Sequence, residues 1–373
     1  MTAIAADAAP VDFLADADRR ALRDSCDRTL WGHGLRTPAD TLAELATLSA
    51  DELAVDSYGE GGTVALLEEE VRTLLGKPAA VFMPSGTMIQ QIALRIHADH
   101  RNRRVIAFHP TCHLELHEDK AYQRLHGLIG RPIGDGRGLI TLADLEAVHE
   151  PLAALLIELP QREIGGRLPA WDDLVSHVAW AHDRGAAVHL DGARLWECGP
   201  FYDRPLSEIA ALFDTVYVSF YKGLGGTAGG MLLGDEDVIG EAREWRHRHG
   251  GTLPYLWLYA ATGLAGLRLR LPRMGAYVEH ARAIAVDLSK IDGVAVVPDP
   301  PQTNMMHIHL RTTSAAVIAG IRRMTTEERL WSFGGSFATD TPEIRLVELS
   351  VGDATLAFSP QEVAAAIRAL LPA

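Results

Sequence analysis

The sequence predicts an α/β fold with a mostly parallel central sheet, helices on both faces, and a smaller α+β domain after it. Three observations predict it. Short apolar strand-like runs alternate with helical periodicities from about Ala79 to Leu233. After Gly293 the alternation gives way to mixed strands and helices. Two of the apolar runs end in a reactive side chain beside glycine, Asp191-Gly192 and Lys222-Gly223, as in open sheets that bind ligands at their carboxyl edge. At 373 residues the chain has room for two domains. The expected division is an arm with short helices over 1–55, a large domain over 56–268 and a small one over 269–373.

In chain order, Thr41 to Ala50 has helical spacing, with Thr41 as a candidate N-cap. Asp56 to Thr63 is a turn-rich loop. Val64, Leu67, Val71, Leu74 and Leu75 fall at i, i+3, i+7, i+10 and i+11 of a helix that Gly76 closes. Ala79 to Met83 is a buried strand, and Pro84-Ser85-Gly86-Thr87 turns into a helix from Met88 to Ala98. Such a turn leaves free N–H groups where the helix dipole favours an anion. An ordinary Ser/Thr-capped loop is the plainer reading of the same residues.

Val105 to Phe108 is the next strand, and it delivers the polar run His109 to Glu118. His113 and His117 stand at i, i+4, but no third ligand or HExxH order accompanies them, so no metal is expected. Leu152 to Leu159 is a strand with Glu158 near its end; Trp171 to Arg184 is a helix; Ala186 to Leu190 is a strand ending at Asp191. Asp214 to Tyr221 alternates with period two and runs into Lys222, a glycine-rich loop and the apolar Met231 to Leu233. Met274 to Ile291 reads as one helix. Val294 to Val297, Met305 to Leu310 and Ile344 to Val347 read as strands, and Ser314 to Met324 and Ser359 to Leu371 as helices. The last opens with the capping box Ser359-Pro-Gln-Glu362.

Composition narrows the function. A net charge of −14 disfavours a nucleic-acid partner. No run of 18 apolar residues suggests a membrane span, and no basic-then-apolar leader is visible, so a cytoplasmic protein is expected. Three scattered cysteines fit a reducing compartment. Only four of the 35 basic residues are lysines: Lys77, Lys120, Lys222 and Lys290. A lysine retained at a strand tip matters because its amine forms a Schiff base and shifts its pKa readily, which Arg cannot do. With Ser85, Gly86 and Thr87 as a phosphate cradle and Asp191 and Arg194 nearby, the set suits pyridoxal phosphate. An Asp facing the pyridine nitrogen would keep the ring an electron sink.

On these residues the chain resembles the threonine aldolase/β-eliminating lyase group of fold-type I, transferase-like pyridoxal-phosphate enzymes. The resemblance lies in Tyr58-Gly59-Glu60, in Gly76-Lys77-Pro78 through Pro84-Ser85-Gly86-Thr87, in His189-Leu190-Asp191-Gly192-Ala193-Arg194, in Lys222-Gly223-Leu224-Gly225 and in Ile344-Arg345-Leu346-Val347. It implies that Ser85, Gly86 and Thr87 bind phosphate, His113 stacks on the ring and meets the substrate hydroxyl, Asp191 pairs with the pyridine nitrogen, and Lys222 carries the coenzyme. Arg194, Arg345 and Tyr58 would hold the amino-acid substrate. It also implies a homodimer or homotetramer with interface active sites. The activity it implies is retro-aldol cleavage of a β-hydroxy-α-amino acid to glycine and an aldehyde. The chain departs from the group's pattern at Cys26-Asp27-Arg28-Thr29, at Leu159-Pro160-Gln161-Arg162 in place of Asn-Thr-His-Asn, at Tyr221 before the lysine, and at Gly250 to Tyr255. The altered 159–162 segment lacks the group's second histidine. β-Elimination, transamination and a catalytically degenerate coenzyme-binding protein therefore stay open as alternatives.

Overall fold

The computed structural model describes residues 12–13 and 16–372. Its contacts separate two compact units, Pro38–Pro272 and the segment up to Thr37 together with Arg273 onward.

The larger unit is built on seven strands: β1 (Ala79–Met83), β2 (Val105–Phe108), β3 (Ile129–Pro132), β4 (Ala154–Glu158), β5 (Ala187–Gly192), β6 (Thr215–Ser219) and β7 (Gly230–Gly234). Their spatial order is β1-β7-β6-β5-β4-β2-β3. β2 pairs in parallel with β3 and β4, β4 with β5, and β5 with β6; β7 alone runs antiparallel, to both β6 and β1. Because β7 reverses twice, β1 points the same way as β4, β5 and β6. The residues following all four therefore emerge at one edge of the sheet. β5 is buried along its whole length, as a central parallel strand covered on both faces must be.

Five principal helices serve this unit: α1 (Gly62–Leu75), α2 (Gly86–Arg101), α3 (Trp171–Asp183), α4 (Glu236–Arg248) and α5 (Trp257–Arg270). Of the expected stripe α1 buries Val64, Leu67, Val71 and Leu75 and leaves Leu74 half-buried, and Gly76 closes the helix at φ 63° with its amide bonded back to Thr73. Ile89, Ile92 and Ile96 of α2 pack with Val81, Met83, Leu232 and Ala242, so α2 and α4 share one core with β1 and β7. On its other flank Leu94 and Ala98 join Ile106, Phe108 and Leu156.

Several expectations shift. The first helix of this unit is Pro38–Leu45, so Thr41 lies inside it and does not cap it; Pro38 supplies the favoured first helical residue. α2 starts at Gly86, not Met88, which places Gly86 and Thr87 in its first turn. The edge strand β3 was not foreseen, because Gly130 and Pro132 interrupt its pattern.

In the smaller unit, β8 (Val294–Val297), β9 (Met305–Arg311), β10 (Gly335–Ala338) and β11 (Ile344–Ser350) form an antiparallel sheet in the order β10-β11-β9-β8, with Asp12–Phe13 added beside β10. Arg28–Thr29 pairs in parallel with Leu330–Trp331, a link of 302 positions that no local pattern signals. The capping box of Ser359 and Glu362 is formed.

One buried carboxylate braces the larger unit. Asp56 accepts the amides of Leu256 and Trp257 at 2.7 Å each with Oδ1, and that of Gly59 at 2.7 Å with Oδ2. It thereby caps α5 and anchors the loop carrying Tyr58. Replacing Asp56 by Ala strands three amides. Chemical denaturation should show a loss of about 3 kcal/mol, with Asp56→Asn losing less; an unchanged midpoint would contradict the bracing role.

Candidate active site

The carboxyl edge of the sheet gathers the residues singled out from the sequence. β6 ends at Ser219, and the chain turns tightly around Lys222: Phe220 N donates to Gly229 O at 3.2 Å, Gly225 N to Lys222 O at 3.0 Å and Gly226 N to Phe220 O at 2.7 Å. Gly223 lets the Glu197 carboxylate come close to the backbone: a Cβ there would lie 2.5 Å from Glu197 Oε1 and displace it. The Lys222 amine makes no hydrogen bond or ion pair among the described residues. Burial, and next the charge of Arg194, hold its pKa below that of an ordinary lysine, while Asp191 and Glu158 oppose them.

Asp191 and Glu158 are register partners at the ends of β5 and β4. Asp191 is 1% exposed. Its Oδ1 accepts the Ala193 amide at 3.1 Å, and its Oδ2 accepts from Gln90 Nε2 of α2. Glu158 accepts the amides of Arg162 (3.1 Å) and His113 (3.2 Å) and the side chain of Gln161 (3.3 Å). Burial, and then the neighbouring Asp191 charge, push its pKa up to about 8. The unusual 159–162 segment thus closes back onto the Glu158 carboxylate.

β1 leads through Ser85 into α2. Ser85 sits at the cap position in extended geometry, yet its hydroxyl caps nothing. The first helical bond runs from Ile89 N to Ser85 O at 3.3 Å. The amides of Gly86, Thr87 and Met88, and the hydroxyls of Ser85 and Thr87, therefore have no partner among the described residues. A long helix that leaves its own cap unused presents donors and a positive dipole end to an anion. Gly86 is required by Tyr217, the register partner of Asp191 on β6: a Cβ at 86 would fall 2.0 Å from the Tyr217 hydroxyl.

His113 opens a short helical turn, His113–Leu116. Its Nδ1 lies 3.0 Å from Glu118 Oε1, and Glu118 Oε2 accepts from Gln91 Nε2 at 2.6 Å. The Glu118 carboxyl is pushed up by burial. The His117 ring lies 5.2 Å from that of His113, and its Nε2 bonds Glu163 at 2.9 Å, a carboxylate that Arg162 also holds at 2.6 Å. Among the described residues no group of three His, Cys, Asp or Glu side chains is placed to hold a metal ion.

Arg194, just past β5, is half-buried; its guanidinium makes no hydrogen bond or ion pair among the described residues, and its charge acts on Lys222. The two remaining sequence candidates are Tyr58 and Arg345. Tyr58 is 58% exposed on the Asp56 loop at φ 52°, and its side chain makes no hydrogen bond or ring contact among the described residues. Arg345 belongs to the smaller unit, where it is buried and donates to Ser336 Oγ and Ser336 O at 3.1 Å each. Sequence reasoning missed Gln90, Gln91, His189 and Glu118. The available signal, for the two glutamines alone, was that they interrupt the apolar first half of α2.

A half-buried amine without a hydrogen bond or ion pair, a buried carboxylate and an uncapped helix start at one sheet edge fit pyridoxal phosphate: amine for its aldehyde, carboxylate for its ring nitrogen, helix start for its phosphate.

Comparison with known proteins agrees. Residues 38–312 match the family model described as beta-eliminating lyase. Low-specificity L-threonine aldolase 1 of Arabidopsis thaliana is 26% identical over 311 residues, covering 80% of this chain and 86% of its own. A crystal structure from Exiguobacterium sp. 255-15, described provisionally as an aromatic amino acid beta-eliminating lyase/threonine aldolase, superposes with TM-score 0.88 at 38% identity, covering 94% of this chain and 98% of its own. One from Listeria monocytogenes EGD-E, described provisionally as an L-allo-threonine aldolase, gives the same figures.

The Gly86–Tyr217 contact yields a test. Gly86→Ala should cost about 1–3 kcal/mol in urea unfolding and abolish tight coenzyme binding. Adding Tyr217→Phe should restore part of the stability by removing the nearest atom. A Gly86→Ala protein of native stability would contradict the contact.

Proposed function

The chain belongs to the beta-eliminating lyase family and has the fold of fold-type I pyridoxal-phosphate enzymes, and on that footing we propose that it is a pyridoxal-phosphate-dependent carbon–carbon lyase. In this reading it cleaves a β-hydroxy-α-amino acid to glycine and an aldehyde. The observation that carries the reading is the Lys222 amine, half-buried at the carboxyl edge of the sheet with no hydrogen bond or ion pair among the described residues and within the fields of Asp191 and Arg194. When bound, the coenzyme supplies an electron-withdrawing ring that accepts the electron pair left by the broken bond.

The chain's own residues divide the remaining work. Lys222 holds the coenzyme through its ε-amine. The first-turn amides of α2, with Ser85, Gly86 and Thr87, hold phosphate. Asp191 faces the ring nitrogen and keeps a proton there. Arg194 binds the substrate carboxylate as a two-pronged donor, with Tyr58 as a further substrate contact. Retro-aldol cleavage must remove the proton of the β-hydroxyl, and His113 is the base. Its Nδ1 bond to Glu118 supports this: a carboxylate there takes the Nδ1 hydrogen and leaves Nε2 with a lone pair for that proton. The reading includes a cytoplasmic homodimer or homotetramer. Among the described residues no helix is long and apolar enough to cross a membrane.

Two measurements test this. Purified protein given threonine or phenylserine should release glycine, with Lys222→Ala inactive and His113→Asn slowed about 10²-fold or more. Release of pyruvate or ammonia in place of glycine would move the assignment to β-elimination, and no product from either substrate would remove the aldolase reading. The second measurement concerns pH. The neutral amine is the reactive form, and the Lys222 pKa is held below that of an ordinary lysine. Coenzyme uptake by the apoprotein should therefore quicken as pH rises, with the midpoint of the rise below the range of an ordinary lysine. A midpoint within that range or above it would contradict the lowered pKa.

A further inference from the structure

Asp191 is also the end of a buried hydrogen-bond chain that the roles above leave unused. Gln90 Nε2 donates to Asp191 Oδ2. Gln90 Oε1 lies 2.6 Å from His189 Nε2. His189 Nδ1 lies 2.8 Å from Thr215 Oγ1, and the same hydroxyl lies 2.7 Å from His97 Nε2. Gln90, His97, His189 and Thr215 are each at most 2% exposed. Three elements supply them. Gln90 and His97 are two turns apart on α2, His189 and Asp191 share a face of β5, and Thr215 is the register partner of His189 on β6.

Proton positions along this chain follow from the charge at its end. A carboxylate only accepts, so Gln90 must turn its NH2 toward Asp191 and its oxygen toward His189. That oxygen needs a donor, so the His189 hydrogen sits on Nε2 and Nδ1 is a lone pair. Thr215 has one hydroxyl hydrogen, which goes to His189 Nδ1, and its oxygen accepts from His97 Nε2–H. Both rings are neutral. Burial pushes the His189 pKa down to about 3 and that of His97 to about 4.

We propose that Gln90 and His189 are positioning residues for Asp191: the chain running back to His97 fixes the rotation of the carboxylate and stabilises its ionised form against the neighbouring Glu158, so that its remaining lone pairs face the coenzyme nitrogen. The coenzyme part rests on the reading given under Proposed function; the direction of the chain does not.

Asp191→Asn tests the direction without any coenzyme. The Asn oxygen keeps the Ala193 amide, so its NH2 now points at Gln90. Gln90 must turn over, His189 must move its hydrogen to Nδ1, and Thr215 must donate to His97, which moves its own hydrogen to Nδ1. Long-range 1H–15N spectra of the apoprotein should show both histidines as Nε2–H tautomers in the native chain and as Nδ1–H tautomers in the variant. A second variant, Gln90→Met, should weaken pyridoxal phosphate binding about tenfold while leaving inorganic phosphate binding unchanged. Unchanged tautomers in Asp191→Asn, or native coenzyme affinity in Gln90→Met, would overturn the proposal. A native protein that binds no pyridoxal phosphate would overturn the functional reading and leave the tautomer result standing.

Discussion

Asp191 carries a charge in a place where water cannot reach it, and a buried carboxylate must be met by hydrogen bonds or not exist. One oxygen is met locally by the Ala193 amide; the other is met by Gln90, a residue of the helix that follows β1. That second bond locates α2 over the sheet. The same helix presents its uncapped first turn to the carboxyl edge. The anion cradle and the carboxylate are thus two ends of one rigid arrangement, pressed together where Gly86 meets Tyr217.

Charge balance at this edge is delicate. Two acids, Asp191 and Glu158, stand in register, and burial drives Glu158 toward its neutral form. Two arginines, Arg194 and Arg162, act on Lys222 from the other side of the balance. A lysine in that field is readily deprotonated, which a nucleophilic amine needs. The segment Leu159–Arg162, where the family has a histidine, spends its polar atoms on Glu158 and Glu163. In the proposed reaction that leaves His113, backed by Glu118, as the candidate base on the substrate side.

Asp56 shows the same logic at a distance from the chemistry. One buried carboxylate gathers three amides from segments 200 residues apart and so holds a surface loop against the start of a helix. Backbone donors at helix starts are answered in two different ways in this molecule. At α5 a side chain of the chain itself answers them. At α2 the chain withholds one.

The sequence alone determined the class of fold and drew attention to Lys222, Asp191, His113 and the Ser85–Thr87 turn. Fold class and turn are written in local periodicity and glycine placement, which act between near neighbours, and Lys222 stands out through the scarcity of lysine in the composition. The sequence could not determine the antiparallel entry of β7, the pairing of Arg28–Thr29 with Leu330–Trp331, the start of α2 at Gly86, or the partners Gln90, His189 and Glu118. Each of these depends on contacts between residues tens to hundreds of positions apart, where a glutamine reads as surface polarity until the packing shows which charge it faces.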